Sequence, residues 1–503
     1  MWLVPWGWGV CALLAMRVGG ETVRGPNFLV VVADDLRADA VGVYGGREAG
    51  TPVLDRLAGQ GCHFRQACCF GSNSGAVCVP SRAMLMAGRT FFEVGGELKG
   101  VRTLPERLEA RGYQTFLAGK WHNGKESCER SFADGEAVFL GGMTDQFHPM
   151  LGAVRGHRLG DMARSEAFST DAIGAAAVKF LGNRDRSRPF FAWVAFTVPH
   201  DPRTPKPVAE APPVVPGGAA SPWLSRVDVP YSELHSREDQ RLPANFLPQH
   251  PFDNGWLTVR DEELLGWPRD PAEVRREWAS YRGLVSHMDA RIGDILLALE
   301  AAGDAGTTYV IFLSDHGLAL GSHGLLGKQS LYEHSMRAPL MVRGPGVEAG
   351  RRSEELVYLH DVHATVLDLA GEPTEARRET DSRSLVPLWQ AGSAAAGLGR
   401  DRVLLAFTDT MRAVRSGPWK LIRYPKVDVT QLFHLGDDPD ERNDLSVAEP
   451  DQVTAMRGLL DEAQRAAGDT LPWTAEVRRP AAVDLTARPR DPYAGRPWAR
   501  PAR

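Results

Sequence analysis

The sequence has no excess of basic charge. Its 58 Lys and Arg face 63 Asp and Glu, a formal net charge of −5, so it lacks the positive footprint with which proteins hold nucleic acid or an acidic membrane surface. A polyanionic substrate would have to be gripped by a few local groups. Long hydrophobic runs are missing too: beyond the first sixteen positions nothing approaches the roughly eighteen uncharged apolar residues of a membrane span. With 43% hydrophobic and 24% charged residues, the chain has the composition of neither a disordered segment nor a coiled coil. Its 503 residues can bury a large core and read as one big globular domain with a smaller companion.

The start is different in kind. Residues 1–16 are apolar and Trp-rich, followed by Arg17, Gly19 and Gly20, which resembles a secretory signal over 1–20. No Lys or Arg precedes the apolar run and the cleavage site is not small-x-small, so an uncleaved anchor is the alternative. A secreted or periplasmic protein with no membrane span after signal cleavage is expected. Cys11 would leave with the signal, and Cys62, Cys68, Cys69, Cys78 and Cys128 would remain. That odd number leaves at least one thiol without an intramolecular partner.

Four apolar runs end abruptly in polar residues. Residues 28–33 precede Asp34 and Asp35, 115–118 precede Gly119, Lys120, Trp121 and His122, 190–197 precede Pro199, His200 and Asp201, and 309–313 precede Ser314, Asp315 and His316. Continuous runs of this length suit strands buried on both faces, and in open α/β sheets ligands gather beyond the carboxyl ends of such strands. The four polar ends are therefore expected to meet in one crevice. Thr51 and Pro52 read as N-cap and first position of a helix ahead of Leu54 and Leu57. Leu284, Met288, Ile292, Ile295 and Leu299 make a core-facing stripe at helical spacing, and the Pro-, Ala- and Gly-dense stretch 205–222 reads as a surface excursion. Later, 412–424 and 431–435 alternate like strands around a turn, before the polar stretch 437–443. The expected organisation is a catalytic domain over 24–395, a small subdomain over 400–470 and an extended Pro- and Arg-rich tail over 471–503.

The segment Cys78-Val79-Pro80-Ser81-Arg82, running on to Gly88-Arg89, resembles the signature of type I sulfatases, C-x-P-S-R followed by a short helix ending in Gly-Arg, at each fixed position. Packing alone does not explain such a motif, although most cysteines of exported proteins are buried or disulfide-bonded. The resemblance places the chain in the alkaline phosphatase superfamily. It implies an α/β fold with a large mixed sheet flanked by helices and a small C-terminal α+β subdomain. It further implies that a formylglycine-generating enzyme oxidises Cys78 to Cα-formylglycine. Elementary chemistry supports such a nucleophile: a serine attacking sulfur would be left as a stable sulfate ester, whereas a geminal diol keeps a second hydroxyl that can collapse and expel sulfate. Ser81 is expected to cap the helix that follows, whose positive end favours an anionic group near residue 78.

The resemblance runs from Asn27 to about Leu445 and includes 359–371, which looks like the family's Asp-containing helix; at Asp381-Ser382 the glycine that commonly follows the aspartate is missing. It makes Asp34, Asp35, Asp315 and His316, together with residue 78, the ligands of one Ca2+, with the histidine leaving manganese or zinc open. Gly119-Lys120-Trp121-His122, Pro199-His200 and Lys328 resemble further family elements. By that likeness Arg82 and Lys120 hold diol and sulfate oxygens, Lys328 bridges sulfate and the leaving oxygen, His122 deprotonates the diol, and His200 protonates the departing sugar oxygen. A metal, two lysines and an arginine suit the negative charge that develops on a sulfate ester. The implied activity is hydrolysis of a sulfate ester on a sulfated carbohydrate. A phosphonate or phosphate monoester hydrolase on the same fold is the first alternative, and an inactive carbohydrate-binding relative the second. Thr144 is the candidate for a sulfate-contacting hydroxyl. Asp201, Arg203, Lys206, His287 and His323 are the candidates for specificity.

Overall fold

The computed structural model describes residues 25–46, 48, 50–207, 230–373, 380–390, 396–480 and 482. The expected leader at 1–20, most of the excursion at 205–222 and the tail beyond 482 lie outside the described residues. The strands are β1 (Asn27–Ala33), β2 (Cys62–Cys68), β3 (Gly71–Ser72), β4 (Gln114–Lys120), β5 (Asp134–Phe139), β6 (Met150–Arg155), β7 (Arg158–Leu159), β8 (Ala163–Arg164), β9 (Phe190–Ala195), β10 (Thr308–Ser314), β11 (Leu340–Arg343), β12 (Arg351–Tyr358), β13 (Arg402–Phe407), β14 (Met411–Ser416), β15 (Trp419–Tyr424) and β16 (Val429–His434).

The large sheet runs β12-β2-β11-β10-β1-β9-β4-β5-β6-β7, with β8 on β6. At its centre β10, β1, β9, β4 and β5 are parallel to one another; β11 and β6 flank them antiparallel, which makes the sheet mixed. The four apolar runs are β10, β1, β9 and β4, side by side and pointing the same way, so their polar ends share one edge. Both faces are apolar because both are covered. Phe28, Val30 and Val32 face a core built with the helices Cys78–Ala87, Leu104–Glu109 and Asp361–Leu369. Leu29, Val31 and Ala33 face the helices Pro52–Gly59, Ser169–Asn183 and Pro271–Ala301. Each of the Val, Leu and Phe side chains among them contributes about 1.5–3 kcal/mol.

The stripe from Leu284 to Leu299 is buried on the helix Pro271–Ala301, which starts at Asp270, whose carboxylate accepts from Ala272 N at 2.6 Å and Glu273 N at 3.3 Å. Thr51 precedes Pro52 as expected but does not cap. Its hydroxyl accepts Gly42 N at 3.0 Å, and the first amides of that helix, Val53 N and Leu54 N, go to Asp289 of the long helix at 3.0 and 2.8 Å.

The second sheet has the order β16-β15-β14-β13-β3 and is backed by the helix Pro450–Ala466 through Met456 and Leu460. Its edge strand β3 comes from just before Cys78. Gly71, at φ 124°, brings β3 against β13 so closely that a Cβ there would lie 1.9 Å from the carbonyl oxygen of Ala406. A buried ionic seam adds to the join: Glu333 meets Arg415 and Lys420 at 2.9 Å each, and Lys420 meets Glu441 at 2.8 Å. Beyond residue 470 the chain lies along this sheet, with Ala475 N on Pro425 O and Arg479 N on Lys426 O.

Candidate active site

The strand ends are stitched together by their own backbone. Asp34 N donates to Val198 O at 3.1 Å, Asp315 N to Ala33 O at 3.2 Å, and Phe196 N to Val32 O at 2.9 Å. This leaves the side chains after the strands to converge. Asp35 and His122 are both held in the left-handed region, at φ 67° and 72°, a conformation that costs an ordinary residue about 1–3 kcal/mol and persists where its surroundings dictate it.

Cys78 opens the helix Cys78–Ala87 at its positive end. Its Sγ lies 3.2 Å from His122 Nδ1 and 3.7 Å from Lys120 Nζ. Ser81 does not cap this helix. The helix begins four residues earlier than a Ser81 cap requires, so Ser81 sits in its first turn and donates to the carbonyl of Asp315 at 2.6 Å. Arg82, one residue on, donates through Nε to Asp315 at 3.0 Å and through a terminal nitrogen to Lys120 O at 2.9 Å. At its far end Gly88, at φ 67°, offers its carbonyl to the amides of Asp381 and Ser382 at 2.9 and 3.0 Å.

Three cations are buried with three carboxylates. Lys120 Nζ meets Asp34 at 2.6 Å and Gly142 O at 2.7 Å, Lys328 Nζ meets both oxygens of Asp35 at 2.8 and 3.0 Å, and Arg82 meets Asp315. Burial pushes the Asp35 carboxyl up to about 7; Lys328 pulls it back, and Asp34 and Asp315 push the same way as burial. Asp315 is pushed up by burial too, yet His316, Arg82 and the lysines hold it below the usual carboxylate range. Burial, then Lys120, brings His122 down to about 2, so its imidazole is neutral and can accept a proton. Burial and Lys328 also hold His200 well below its ordinary value.

One ligand atom from each of Asp34, Asp35, Asp315 and His316 lies within 4.8 Å of the others, and the same holds for Asp34, Cys78 and His316. Two of these atoms, Asp34 Oδ1 and His316 Nε2, are buried without a hydrogen-bond partner, an arrangement that costs free energy unless something else satisfies them. His316 Nδ1 is 2.9 Å from Gly317 O; a carbonyl only accepts, so Nδ1 carries the proton and Nε2 turns a lone pair into the cluster. The donor set fits a divalent cation.

His200 completes the group. Its Nδ1 lies 2.8 Å from Asp201 O, while Nε2 faces Asp35 at 3.8 Å. All the residues named from the sequence for metal and catalysis thus come together. The remaining candidates divide. Thr144 donates to Asp145 O at 3.3 Å, Arg203 pairs with Glu277 at 2.5 Å, Lys206 and His287 both meet Asp171 at 2.7 Å, and His323 contacts Glu441 O while stacking on Tyr332. Of these, Asp201 follows His200 directly and borders the site. Sequence reasoning missed the segment 254–262, which brings Arg260 onto Asp201 and Asp261 onto Gln329, beside Lys328. Nothing periodic marks that stretch.

Residues 26–372 match the family model described as Sulfatase, and 321–465 match one described as N-sulphoglucosamine sulphohydrolase, C-terminal. The N-acetylglucosamine-6-O-sulfatase of Bacteroides thetaiotaomicron is 25% identical over 90% of this chain and 88% of its own length. Mouse steryl-sulfatase is 31% identical over 73% of this chain and 66% of its own. Among solved structures, a protein in complex with its substrate D-glucosamine-2-N,6-O-disulfate superposes with a TM-score of 0.70 at 23% identity, covering 90% of this chain and all of its own. Phosphonate monoester hydrolase of Agrobacterium radiobacter superposes with a TM-score of 0.65 at 18% identity, over 88% and 95%.

Proposed function

The chain belongs to the sulfatase family, and from that premise we propose that it hydrolyses a sulfate ester of a sugar with Cys78, oxidised to Cα-formylglycine, as nucleophile and one calcium ion bound by Asp34, Asp35, Asp315, His316 and residue 78. The observation that carries this reading is the position of Cys78 at a helix N-terminus, 3.2 Å from a neutral histidine and 3.7 Å from a buried lysine. Oxidised and hydrated, residue 78 supplies a diol that attacks sulfur and whose second hydroxyl permits release of sulfate. A bound calcium ion supplies charge stabilisation for the sulfate oxygens.

The chain's own residues do the rest. Lys120 and Arg82 hold residue 78 and the sulfate oxygens. His122 accepts the proton whose removal lets sulfate leave. Lys328 Nζ reaches toward sulfate and leaving oxygen from its seat on Asp35, and His200, with Nδ1–H fixed on the carbonyl of Asp201, presents Nε2 to the departing alcohol. Depressed as it is by burial and then by Lys328, His200 gains proton affinity once anionic sulfate binds beside it.

Attack at sulfur predicts cleavage of the S–O bond. In heavy-oxygen water the label should enter sulfate over repeated turnovers and stay out of the sugar; label in the sugar hydroxyl would mean C–O cleavage and sink the mechanism. Matched sulfate and phosphonate esters, compared by kcat/KM, distinguish this reading from a phosphonate hydrolase.

Metal removal has its own readout. Without the ion Asp34 Oδ1 and His316 Nε2 stay buried without a partner, so chelation should lower the midpoint of thermal unfolding by roughly 2–5 °C, the effect of losing a ligand present at about a hundred times its Kd. Calcium should restore it. An unchanged midpoint after exhaustive chelation would contradict the ligand assignment.

A further inference from the structure

Outside the buried cluster, the groups nearest the alcohol side of the site form a short charged rim. Asp201 follows His200 directly. Arg260 grips Asp201 through both terminal nitrogens, the longer contact at 3.1 Å, and one of those nitrogens also meets Asp261. Asp261 accepts from Gln329 Nε2 at 2.8 Å, and Gln329 Oε1 accepts the backbone amide of Lys328 at 3.0 Å. The rim therefore abuts both residues assigned to the leaving oxygen. It also stands further out than they do, since the Arg260 side chain is 26% exposed while those of His200 and Lys328 are 5% and 3%.

Its charge is the informative part. Arg260 is one cation held between two carboxylates, Asp201 and Asp261. Arg203, the next cation along, is matched by Glu277 at 2.5 Å, and Lys328 by Asp35 at 2.8 Å. Among the described residues, and counted with His200 as the neutral imidazole that lies 3.4 Å from Asp201, one negative charge is left in excess on the alcohol side, whereas the floor of the site collects cations for a single sulfate. An arginine at the mouth of such a site suggests at first a grip for a second acidic group. Clamped by two carboxylates, it offers that group no net attraction.

We propose that the Asp201–Arg260–Asp261 rim is a specificity filter that admits esters whose substituents beside the scissile sulfate are neutral or cationic and rejects those carrying a second anion there. This rests on the sulfate-ester reading above and narrows its substrate class to singly sulfated, non-acidic positions. Selectivity of this kind works through repulsion of the wrong partner.

The test uses 3-carboxamidophenyl and 3-carboxyphenyl sulfate, nearly isosteric esters differing by one charge, with kcat/KM corrected for phenol acidity along a line of neutral aryl sulfates. The mature protein should prefer the amide by about tenfold or more, and raised salt should shrink that ratio, as it does for any partly exposed charge pair. Asp261→Asn should lower the ratio about threefold or more, and Arg260→Gln should raise it by a similar factor. Because a ratio is read, any general loss of rate from disturbing His200 or Lys328 cancels. Equal rates for the two esters, a preference for the acid, or a ratio that neither variant nor salt moves would overturn the filter. Failure to hydrolyse nitrophenyl sulfate at all would instead remove the sulfatase reading, and the filter with it.

Discussion

Cys78→Ala should leave no measurable turnover in a protein that still folds and still holds its metal. The side chain is 2% exposed and an alanine fits in its place, so the packing loss is small. What disappears is chemistry. Lys120 keeps Asp34 and the carbonyl of Gly142, His122 keeps its ring against the same wall, and four other ligands remain for the ion, yet no hydroxyl stands where sulfur must be attacked. Cys78→Ser separates nucleophilicity from turnover: it should take up sulfate once and stop, because a serine ester has no second hydroxyl to expel it. The measurements are steady-state rates for the alanine variant and intact mass of the serine variant after exposure to substrate. Activity of the alanine variant within tenfold of the parent would end the mechanism, since no other nucleophile is proposed.

The site was legible in the sequence because it is built from two kinds of local signal. An apolar run buried on both faces announces a central parallel strand, and the polar residues that end it must then lie on the sheet's carboxyl edge; Asp34, Lys120, His200 and Asp315 could be placed in one crevice on that ground. The Cys78 motif is contiguous and needs no tertiary information. What escaped is whatever depends on a distant partner. Asp289 caps the helix Pro52–Gly59 from 235 residues away, so Thr51 looked like the cap. Ser81 belongs to the helix rather than preceding it, because the turn starts at Cys78 itself. His287 and His323 carry the right chemistry for a sugar site but face Asp171 and the second sheet. Arg260 sits in a stretch without period, and only its contact with Asp201 gives it a role.

Charge balance explains why this cluster holds together and what it still requires. Asp34, Asp35 and Asp315 are matched by Lys120, Lys328 and Arg82, each pair within 3.0 Å, so the buried site is close to neutral before anything binds. Asp34 Oδ1 and His316 Nε2, buried without hydrogen-bond partners, would hold a divalent ion, which would bring surplus positive charge. That surplus matches the anionic ester and the further negative charge that develops as its bond to oxygen breaks. Arg82 and Asp34, 3.7 Å apart, are in Coulombic reach without a hydrogen bond, which leaves the guanidinium a terminal nitrogen, also unpartnered, for a sulfate oxygen.

The roles proposed for the two histidines differ in timing, and that difference is measurable. A sugar alkoxide is a poor leaving group and needs a proton as the bond breaks, whereas a nitrophenolate leaves with little help. His200→Ala should therefore slow the sugar sulfate by about a hundredfold or more, the usual range for loss of a general acid, and nitrophenyl sulfate much less. His122 is proposed to act after the alcohol has gone: beside residue 78 and held neutral by burial and Lys120, it is placed to take a proton from the sulfated residue. His122→Ala should slow both esters alike and let sulfated enzyme accumulate, visible by intact mass during turnover. The geometry supports the division, since His200 Nε2 faces Asp35, the carboxylate that also seats Lys328, while His122 lies against Sγ of Cys78. Equal loss on both esters in the His200 variant would reduce that residue to holding sulfate, and the general acid would have to be sought elsewhere, with Lys328 the first candidate.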